Sequence, residues 1–234
     1  SNLAAPTLAG TFDTPDTAYA VVVSGDYAYV ADYASGGLQV INISNAASPT
    51  RAGAYNTPDW AYDVAVSGAY AFVADNQSGL QIISVSNAAV PTRVGTFNTA
   101  GYNHGVFVSG SYAYLGDHFA GLHIINVSDL AVPTLTATFD TASTALDVFV
   151  SANYAYVADA DRMQIINISD LAAPTLAGTF SPPGGFPCNE VVVSGAYAFT
   201  ASTGDGLGVL DITNAAVPTR VGVFDTTGSV YGVF

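Results

Sequence analysis

Five equivalent segments hold most of the side chains that could take part in binding or catalysis. Each lies just before a run of β-forming residues, and together they contain the only Trp, the only Glu and the only Cys of the chain. Aromatic rings can stack on a sugar or a peptide side chain, while carboxylates accept hydrogen bonds or hold a cation. With one tyrosine from the last residues, the candidate ligand-binding residues are Tyr19, Trp60, Tyr62, Asp63, Tyr102, His104, Asp147, Glu190 and Tyr231.

The same residues allow a catalytic hypothesis. An enzyme would use His104 as a base beside one of the three candidate carboxylates. The sequence, however, has no nucleophile-elbow motif and no His cluster at metal-ligand spacing, and we expect His118 and His123 to lie away from this group. No residue is therefore predicted to be catalytic, and the chain is more consistent with a protein that is not an enzyme.

Metal binding and a purely structural role are the two remaining interpretations. Asp63, Asp147 and Glu190 would suit Ca²⁺, because hard cations prefer several oxygen ligands. The sequence has no Asp-x-Asp-x-Asp-Gly loop, so we predict no cofactor and no metal ligand, with Ca²⁺ as an open alternative. In the structural interpretation, the aromatic residues pack between sheets and the acidic residues cap loops.

A repeat of 42 to 43 residues must position these candidates. Its clearest marker, Val-Ser-Gly followed by Tyr-Ala-Tyr-Val-Ala-Asp, begins at Val23, Val66, Val108, Val150 and Val193, with small variations among the copies. A period of this length over a whole chain indicates a solenoid or a propeller. We therefore expect residues 1–234 to form a single domain, which could be a segment of a longer chain.

Each repeat predicts four short strands. In the second copy they fall at 62–67, 70–75, 79–85 and 91–97, separated by Gly, Ser, Asn, Asp and Pro. Four antiparallel strands per repeat of this length form one blade of a β-propeller. No window shows the 3.6-residue period of a helix, so the prediction is an all-β propeller of four-stranded antiparallel blades.

The number of blades follows from the two ends of the sequence. Residues 6–12 resemble an isolated fourth strand, and residues 230–234 resemble the first strand of a sixth repeat. The prediction is six blades with one blade incomplete, and the alternative is a ring of five blades with two spare strands. An incomplete blade would leave strand edges that tend to pair with another chain.

The charge balance limits the possible partners. Eighteen acidic residues against four basic ones give a net charge of -14, which repels nucleic acid and anionic lipid. No apolar run is long enough to span a membrane. The scarcity of charge and the many Tyr, Thr, Ser and Asn residues suggest a secreted or cell-surface protein. Asn76 begins an Asn-x-Ser sequence and is the candidate glycosylation site.

The segment at residues 37–50, with echoes at 79–92, 121–134, 162–175 and 206–219, closely resembles the LVIVD repeat. This resemblance implies a β-propeller of the kind found mostly on secreted or surface-attached prokaryotic proteins, and it brings no catalytic residue. The functional prediction is a non-catalytic structural or adhesive module that binds other protein chains or copies of itself. The alternative is a carbohydrate-binding or peptide-binding propeller, or a hydrolytic one, that uses the predicted site.

Overall fold

Five four-stranded antiparallel sheets make up the fold. The computed structural model describes residues 5–185, 187–226 and 228–233. In each sheet the strands are neighbours in the order of the sequence, so each repeat forms one meander, here called a blade. The strands are β1 Ala20–Ser24, β2 Tyr27–Asp32, β3 Gly37–Asn42 and β4 Thr50–Tyr55 in blade 1; β5 Ala61–Ser67, β6 Tyr70–Asp75, β7 Leu80–Ser84 and β8 Thr92–Phe97 in blade 2; β9 Asn103–Ser109, β10 Tyr112–Asp117, β11 Gly121–Asn126 and β12 Thr134–Phe139 in blade 3; β13 Ala145–Ser151, β14 Tyr154–Asp159, β15 Arg162–Asn167 and β16 Thr175–Phe180 in blade 4; and β17 Cys188–Ser194, β18 Tyr197–Ser202, β19 Gly206–Asp211 and β20 Thr219–Phe224 in blade 5.

The core lies between neighbouring blades rather than within one sheet. Tyr29, Leu38 and Val40 of blade 1 pack against Val64 and Val73 of blade 2, and all five side chains are buried. Equivalent positions form the same kind of cluster between blades 2 and 3, 3 and 4, and 4 and 5. Each blade therefore presents one apolar face to each neighbour.

The strands run from the centre of the ring outward, as the sequence predicts. The first strands of successive blades contact one another, so they surround the central axis. The fourth strands are much more exposed; in β8 only Gly95 is buried. A proline directly precedes each fourth strand, where an outer strand tolerates a residue without a backbone N–H.

Buried aspartates at the ends of the second strands fix the segments that lead into the first strands. The Asp32 carboxylate accepts a hydrogen bond from the Asp16 backbone N–H at 3.2 Å, and Asp75 accepts one from Asp59 at 3.2 Å. In blade 3, Asp117 accepts one from the Tyr102 N–H at 2.8 Å. The segments that carry the predicted site are thus held against the next strand of their own blade.

The structure differs from the sequence-based prediction at three places. Residues 6–12 and 230–233 are not strands, because no neighbouring strand is present to form a hydrogen-bonded ladder with them, and Phe234 lies outside the described residues. The loop after β2 is one residue longer than its equivalent in blade 2, and it forms the short helix α1, Tyr33–Gly36. No helix in the described part of the chain is long and apolar enough to cross a membrane.

The tight turns between first and second strands need a residue in the left-handed region. Gly25, Gly68, Gly110 and Gly195 adopt φ values of 58° to 60° there, and Ala152 adopts 51° at the same position in blade 4. This conformation is free of steric cost for glycine only, because a Cβ comes too close to the following carbonyl oxygen.

We expect Ala152→Gly to stabilise the protein. The relief of the left-handed strain exceeds the added entropy of the unfolded chain by about 0.5–1 kcal/mol. Thermal unfolding followed by circular dichroism measures the change. Gly68→Ala in blade 2 is the matched control and should destabilise by a similar amount; destabilisation by Ala152→Gly would contradict this account of the turn.

Candidate functional site

The channel at the centre of the ring opens into a cavity of about 270 Å³. Seven of the nine predicted site residues line it together, and Trp60 and Tyr102 lie outside its lining. The lining consists of Tyr19, Ala20, Tyr62, Asp63, His104, Gly105, Leu146, Asp147, Asn189, Glu190, Tyr231 and Gly232. This opening is called the channel mouth below.

A β-bulge near the start of the first strand explains why two consecutive residues of a blade reach the channel. In blade 2, Ala61 pairs with Asp75 and Asp63 pairs with Ala74, so Tyr62 has no partner in the ladder. Blades 3, 4 and 5 have the same irregularity at the same place. A bulge of this kind redirects side chains, and here it turns both Tyr62 and Asp63 toward the axis.

Three carboxylates at the mouth join neighbouring blades. Asp63 accepts hydrogen bonds from the backbone N–H groups of Val64 at 2.7 Å and of Val106 in blade 3 at 2.8 Å. Asp147 accepts one from Val191 in blade 5 at 2.9 Å. Glu190 accepts one at 3.2 Å from the N–H of Val233. Each carboxylate thus holds the next innermost segment of the ring.

Glycines make room for these carboxylates. A Cβ built on Gly105 would lie 2.6 Å from the Cα of Asp147, and one built on Gly232 would lie 2.9 Å from Oε2 of Glu190. Side chains at both positions would therefore collide with the neighbouring blade. The equivalent position is therefore acidic in blades 2, 4 and 5 and has no side chain at Gly105 in blade 3.

Burial raises the pKa of all three carboxyl groups. The pKa of Asp63 rises to about 6 and that of Glu190 to about 7, while the pKa of Asp147 rises well above its usual value. The negative charge of the neighbouring carboxylates also raises the pKa of Asp147 and Glu190, because like charges disfavour ionisation. The site therefore changes its charge between pH 5 and 8.

The geometry gives little support for a metal site or a catalytic base. No group of three His, Cys, Asp or Glu side chains in the described part of the chain is placed to hold a metal ion. Burial lowers the pKa of His104 to about 4, with a further contribution from His118. The His104 ring lies flat against Tyr62, with 4.1 Å between ring centroids, and none of the hydrogen bonds among described residues joins it to a carboxylate.

A continuous row of aromatic rings crosses the mouth from blade 1 to blade 3. Tyr33 lies 5.0 Å from Trp60 and 5.1 Å from Tyr19, and Tyr19 meets Tyr62 edge-on at 5.0 Å. The row continues from Tyr62 to His104 and then to His118, at 5.2 Å. We call these six residues the aromatic row; Tyr19 is 55% exposed and Trp60 41% exposed.

The structure corrects the expectation for His118 and adds a residue that sequence reasoning missed. His118 lies beside His104 and Tyr102 rather than away from them. Tyr33 stands at the same place in blade 1, directly after the aspartate that ends the second strand. This position lies next to the innermost strand of the following blade, so its variation among repeats was the signal that could have identified it.

Asn76, the predicted glycosylation site, occupies the equivalent place in blade 2. It is 3% exposed, and its side-chain amide donates a hydrogen bond to Asp59 at 3.3 Å. Its backbone carbonyl accepts hydrogen bonds from Asn103 in blade 3. This asparagine is thus part of the contact between two blades.

Comparison with known sequences identifies the repeat. The model of the LVIVD repeat matches residues 16–57, 60–99, 100–141, 142–181 and 188–226, one match for each blade. No curated protein sequence matches the chain.

Solved structures are similar in fold. The β-propeller domain of Cps50 (Swd1) from Myceliophteria thermophila has a TM-score of 0.71 at 11% identity, over 91% of this chain and 74% of that one. The periplasmic gluconolactonase of Pseudomonas aeruginosa has a TM-score of 0.78 at 17% identity, over 92% and 72%. The computationally designed Ika8 protein has a TM-score of 0.68 at 9% identity, and this chain covers 64% of its length. These low identities relate the chain to β-propellers by fold alone.

We expect Glu190→Gln to stabilise the protein at pH 8 and to have little effect near pH 4.5. A folded-state pKa of about 7 means that the native state loses stability as pH rises from about 4.5 to 7. The amide of Gln does not ionise and so avoids this loss of folding free energy. Because Glu190 is partly exposed, the loss is about 1 kcal/mol, which corresponds to about 2–4 °C in Tm. Thermal unfolding across this pH range measures it.

Asp26→Asn, an exposed change of the same charge, is the control for net charge. A gain in Tm that is equal for both variants, or equal at both pH values, would contradict a specific role of Glu190.

Proposed function

Because the chain belongs to the LVIVD repeat family and folds as a β-propeller, we propose that it is a non-catalytic binding module that recognises a basic side chain of a protein partner. The observation that carries this proposal is the meeting of three members of the aromatic row, Tyr19, Tyr62 and His104, with three partly buried carboxylates in one cavity. A cation can lie against aromatic faces there while its charge is neutralised by Asp63, Asp147 and Glu190.

The electrostatics of the mouth favour a cation over an anion or a neutral ligand. The lining contains three acidic residues and no Arg or Lys. The net charge of -14 adds a negative field that steers cations toward the channel. Aromatic faces beside carboxylates are a known arrangement for ammonium and guanidinium groups.

The loop after the second strand has a left-handed backbone in three blades. Tyr33 adopts a φ of 35°, Asn76 one of 43° and Ala160 one of 46°, each directly after the aspartate that ends the strand. In blade 1 this loop places the Tyr33 ring between Trp60 and Tyr19.

The same site gives weaker support to catalysis. His104 is buried against Tyr62 and has no hydrogen bond to a carboxylate among the described residues that could orient it as a base. The likeness to a gluconolactonase, at 17% identity, concerns the fold and brings no activity to this chain. A binding role requires only the rings and charges that line the mouth.

The proposed setting is the cell surface or the extracellular space, where the module would have a structural or adhesive role. The composition that suggests export also gives a surface with few charged side chains of either sign other than Asp. Only four basic residues occur in the chain, so a partner protein supplies the basic side chain more readily than a second copy does.

We also propose that the ring has six blade positions. Val233 donates to Glu190 as Val106 donates to Asp63 and as Val191 donates to Asp147, which supports placing residues 230–233 at the first-strand position of a sixth blade. The alternative, a ring closed by five blades, would bring β17 against β1, whereas the residues that line the mouth include Tyr231 and Gly232 between those blades.

A short peptide tests the proposed recognition. Gly-Gly-Arg-Gly-Gly should bind and change the fluorescence of Trp60, the only Trp of the chain, while Gly-Gly-Gln-Gly-Gly should not. Affinity should fall as pH decreases from 8 to 5.5, because Glu190 and Asp63 take up protons in that range. Tyr19→Ala should weaken binding about tenfold, the effect of losing one desolvated cation–π contact.

Tyr197→Ala is the matched control, because this tyrosine is 44% exposed and lies at the opposite end of a blade. Binding of neutral oligosaccharides in place of the arginine peptide would favour the carbohydrate-binding alternative. Arginine binding that is unchanged by Tyr19→Ala and by pH would refute a site at the channel mouth.

A further inference from the structure

We propose that the space between blades 5 and 1 is a docking site for a two-stranded antiparallel β-hairpin with the pattern of the repeat's second and third strands. This inference rests on the six blade positions proposed above. The slot shares Tyr19 and Ala20 with the channel mouth, and substitutions at other residues test the two separately. We call this space the hairpin slot, and its walls are the open faces of β1–β3 and β18–β19.

The beginning of the chain lies at the outermost position of the slot. A Cβ built on Gly10 would lie 2.3 Å from the carbonyl oxygen of Ala46 in blade 1. A Cβ built on Gly53 in β4 would lie equally close to the carbonyl oxygen of Ala88 in blade 2. Phe12 packs on blade 1 as Tyr55 packs on blade 2. The segment thus contacts blade 1 as a fourth strand contacts the next blade.

The end of the chain lies at the innermost position. The Val230 N–H donates to the carbonyl oxygen of Ser202 at 3.3 Å, and the Asn189 side chain donates to the Val230 carbonyl at 3.0 Å. Cys188 likewise donates to Ala160 of the preceding blade. The described residues therefore fill the first and fourth positions of a sixth blade and leave its second and third positions open.

Blade 1 exposes a face that every other blade buries. Val21 is 56% exposed, whereas its equivalents in the other four blades are between 1% and 5% exposed. Val23 is 59% exposed on the same face. The equivalents of Val21 are Val64, Val106, Val148 and Val191. A cavity of about 530 Å³ lies against this face, lined by Phe12, Val21, Val30 and Ile41 among others.

Blade 5 exposes the opposite face. Leu207 and Val209 are partly exposed. Their equivalents Leu38 and Val40 are fully buried against the next blade, and so are those in blades 2, 3 and 4. Phe224 in β20 is 68% exposed. Both walls of the slot are therefore apolar surfaces of the kind that pack against another blade elsewhere in the ring.

The occupant follows from the size and the pattern of the slot. Strands in a sheet lie about 4.8 Å apart, so two strands fit between a first and a fourth strand. The occupant needs apolar side chains on both faces, as in Tyr-Ala-Tyr-Val-Ala-Asp and Gly-Leu-Gln-Ile-Ile. Every hairpin of the described residues already belongs to a blade. The hairpin must then come from polypeptide outside residues 1–234, and a second copy could supply it only by unfolding a blade.

A synthetic peptide with the sequence of residues 153–168, which form β14 and β15, provides the test. Added to the 234-residue protein, it should bind with a 1:1 ratio by calorimetry, raise Tm, and slow hydrogen exchange of the β1 amides. Val21→Asp and Val23→Asp place a charge in the slot and should each weaken binding at least tenfold. Because both residues are exposed, these variants should fold, which circular dichroism verifies.

Val90→Asp, at a loop valine that is 61% exposed, is the matched control and should leave binding unchanged. A scrambled peptide of the same composition should not bind. Binding that is absent, or equal in Val21→Asp and Val90→Asp, would overturn the proposal. Self-association of the protein in the absence of peptide, if Val21→Asp abolishes it, would also overturn the proposal, because a second copy would then be the occupant. Tyr62→Ala, at the channel mouth and outside the lining of the slot cavity, should not affect hairpin binding, so failure at the slot and failure at the channel mouth are distinguishable.

Discussion

Burial of apolar side chains between neighbouring blades is the interaction on which the rest of the structure depends. A single four-stranded meander has two apolar faces and cannot bury either of them alone. Leu38, Leu80, Leu122 and Met163, at one equivalent position, are all fully buried by the following blade, and each such side chain contributes roughly 1.5–3 kcal/mol. The stability of a blade therefore comes mainly from its contacts with the neighbouring blades. A blade face without such a neighbour leaves apolar surface open to another polypeptide.

The channel mouth is a consequence of this packing of the blades. The interfaces bring the first strands together around an axis, and a bulge in the first strands of blades 2 to 5 redirects side chains into the channel. Three of these side chains are carboxylates whose pKa values are raised by burial. They disfavour the folded state at high pH.

Much of the fold can be predicted from the sequence because the same pattern of strand and turn residues occurs five times. In blade 2 the predicted strands 62–67 and 70–75 match β5 and β6 within one residue. The Asp75 carboxylate accepts a hydrogen bond from the Asp59 N–H, in the segment before β5. Sequence spacing alone could not distinguish this partner from the turn that follows Asp75, since both lie near the same end of the blade.

The site was predictable only in part, for a related reason. Tyr62 and Asp63 were identified because they precede or begin a first strand, which lies nearest the axis. Tyr33 and His118 were missed because they belong to loops after second strands, and only the packing of one blade on the next brings them to the mouth. Contacts within a blade can be predicted from the repeat sequence, whereas contacts between blades depend on how the blades are arranged in the ring.

The close approach of the fourth-strand glycines to the neighbouring loop has an evolutionary consequence. Gly53, Gly95 and Gly178 meet the next blade through main-chain atoms, which are the same whatever side chains a repeat carries. Exchange of one repeat for another would leave these main-chain contacts intact, whereas the apolar side chains between the blades would still have to fit. The loops at these joints can therefore differ in their side chains while the backbone contact stays the same.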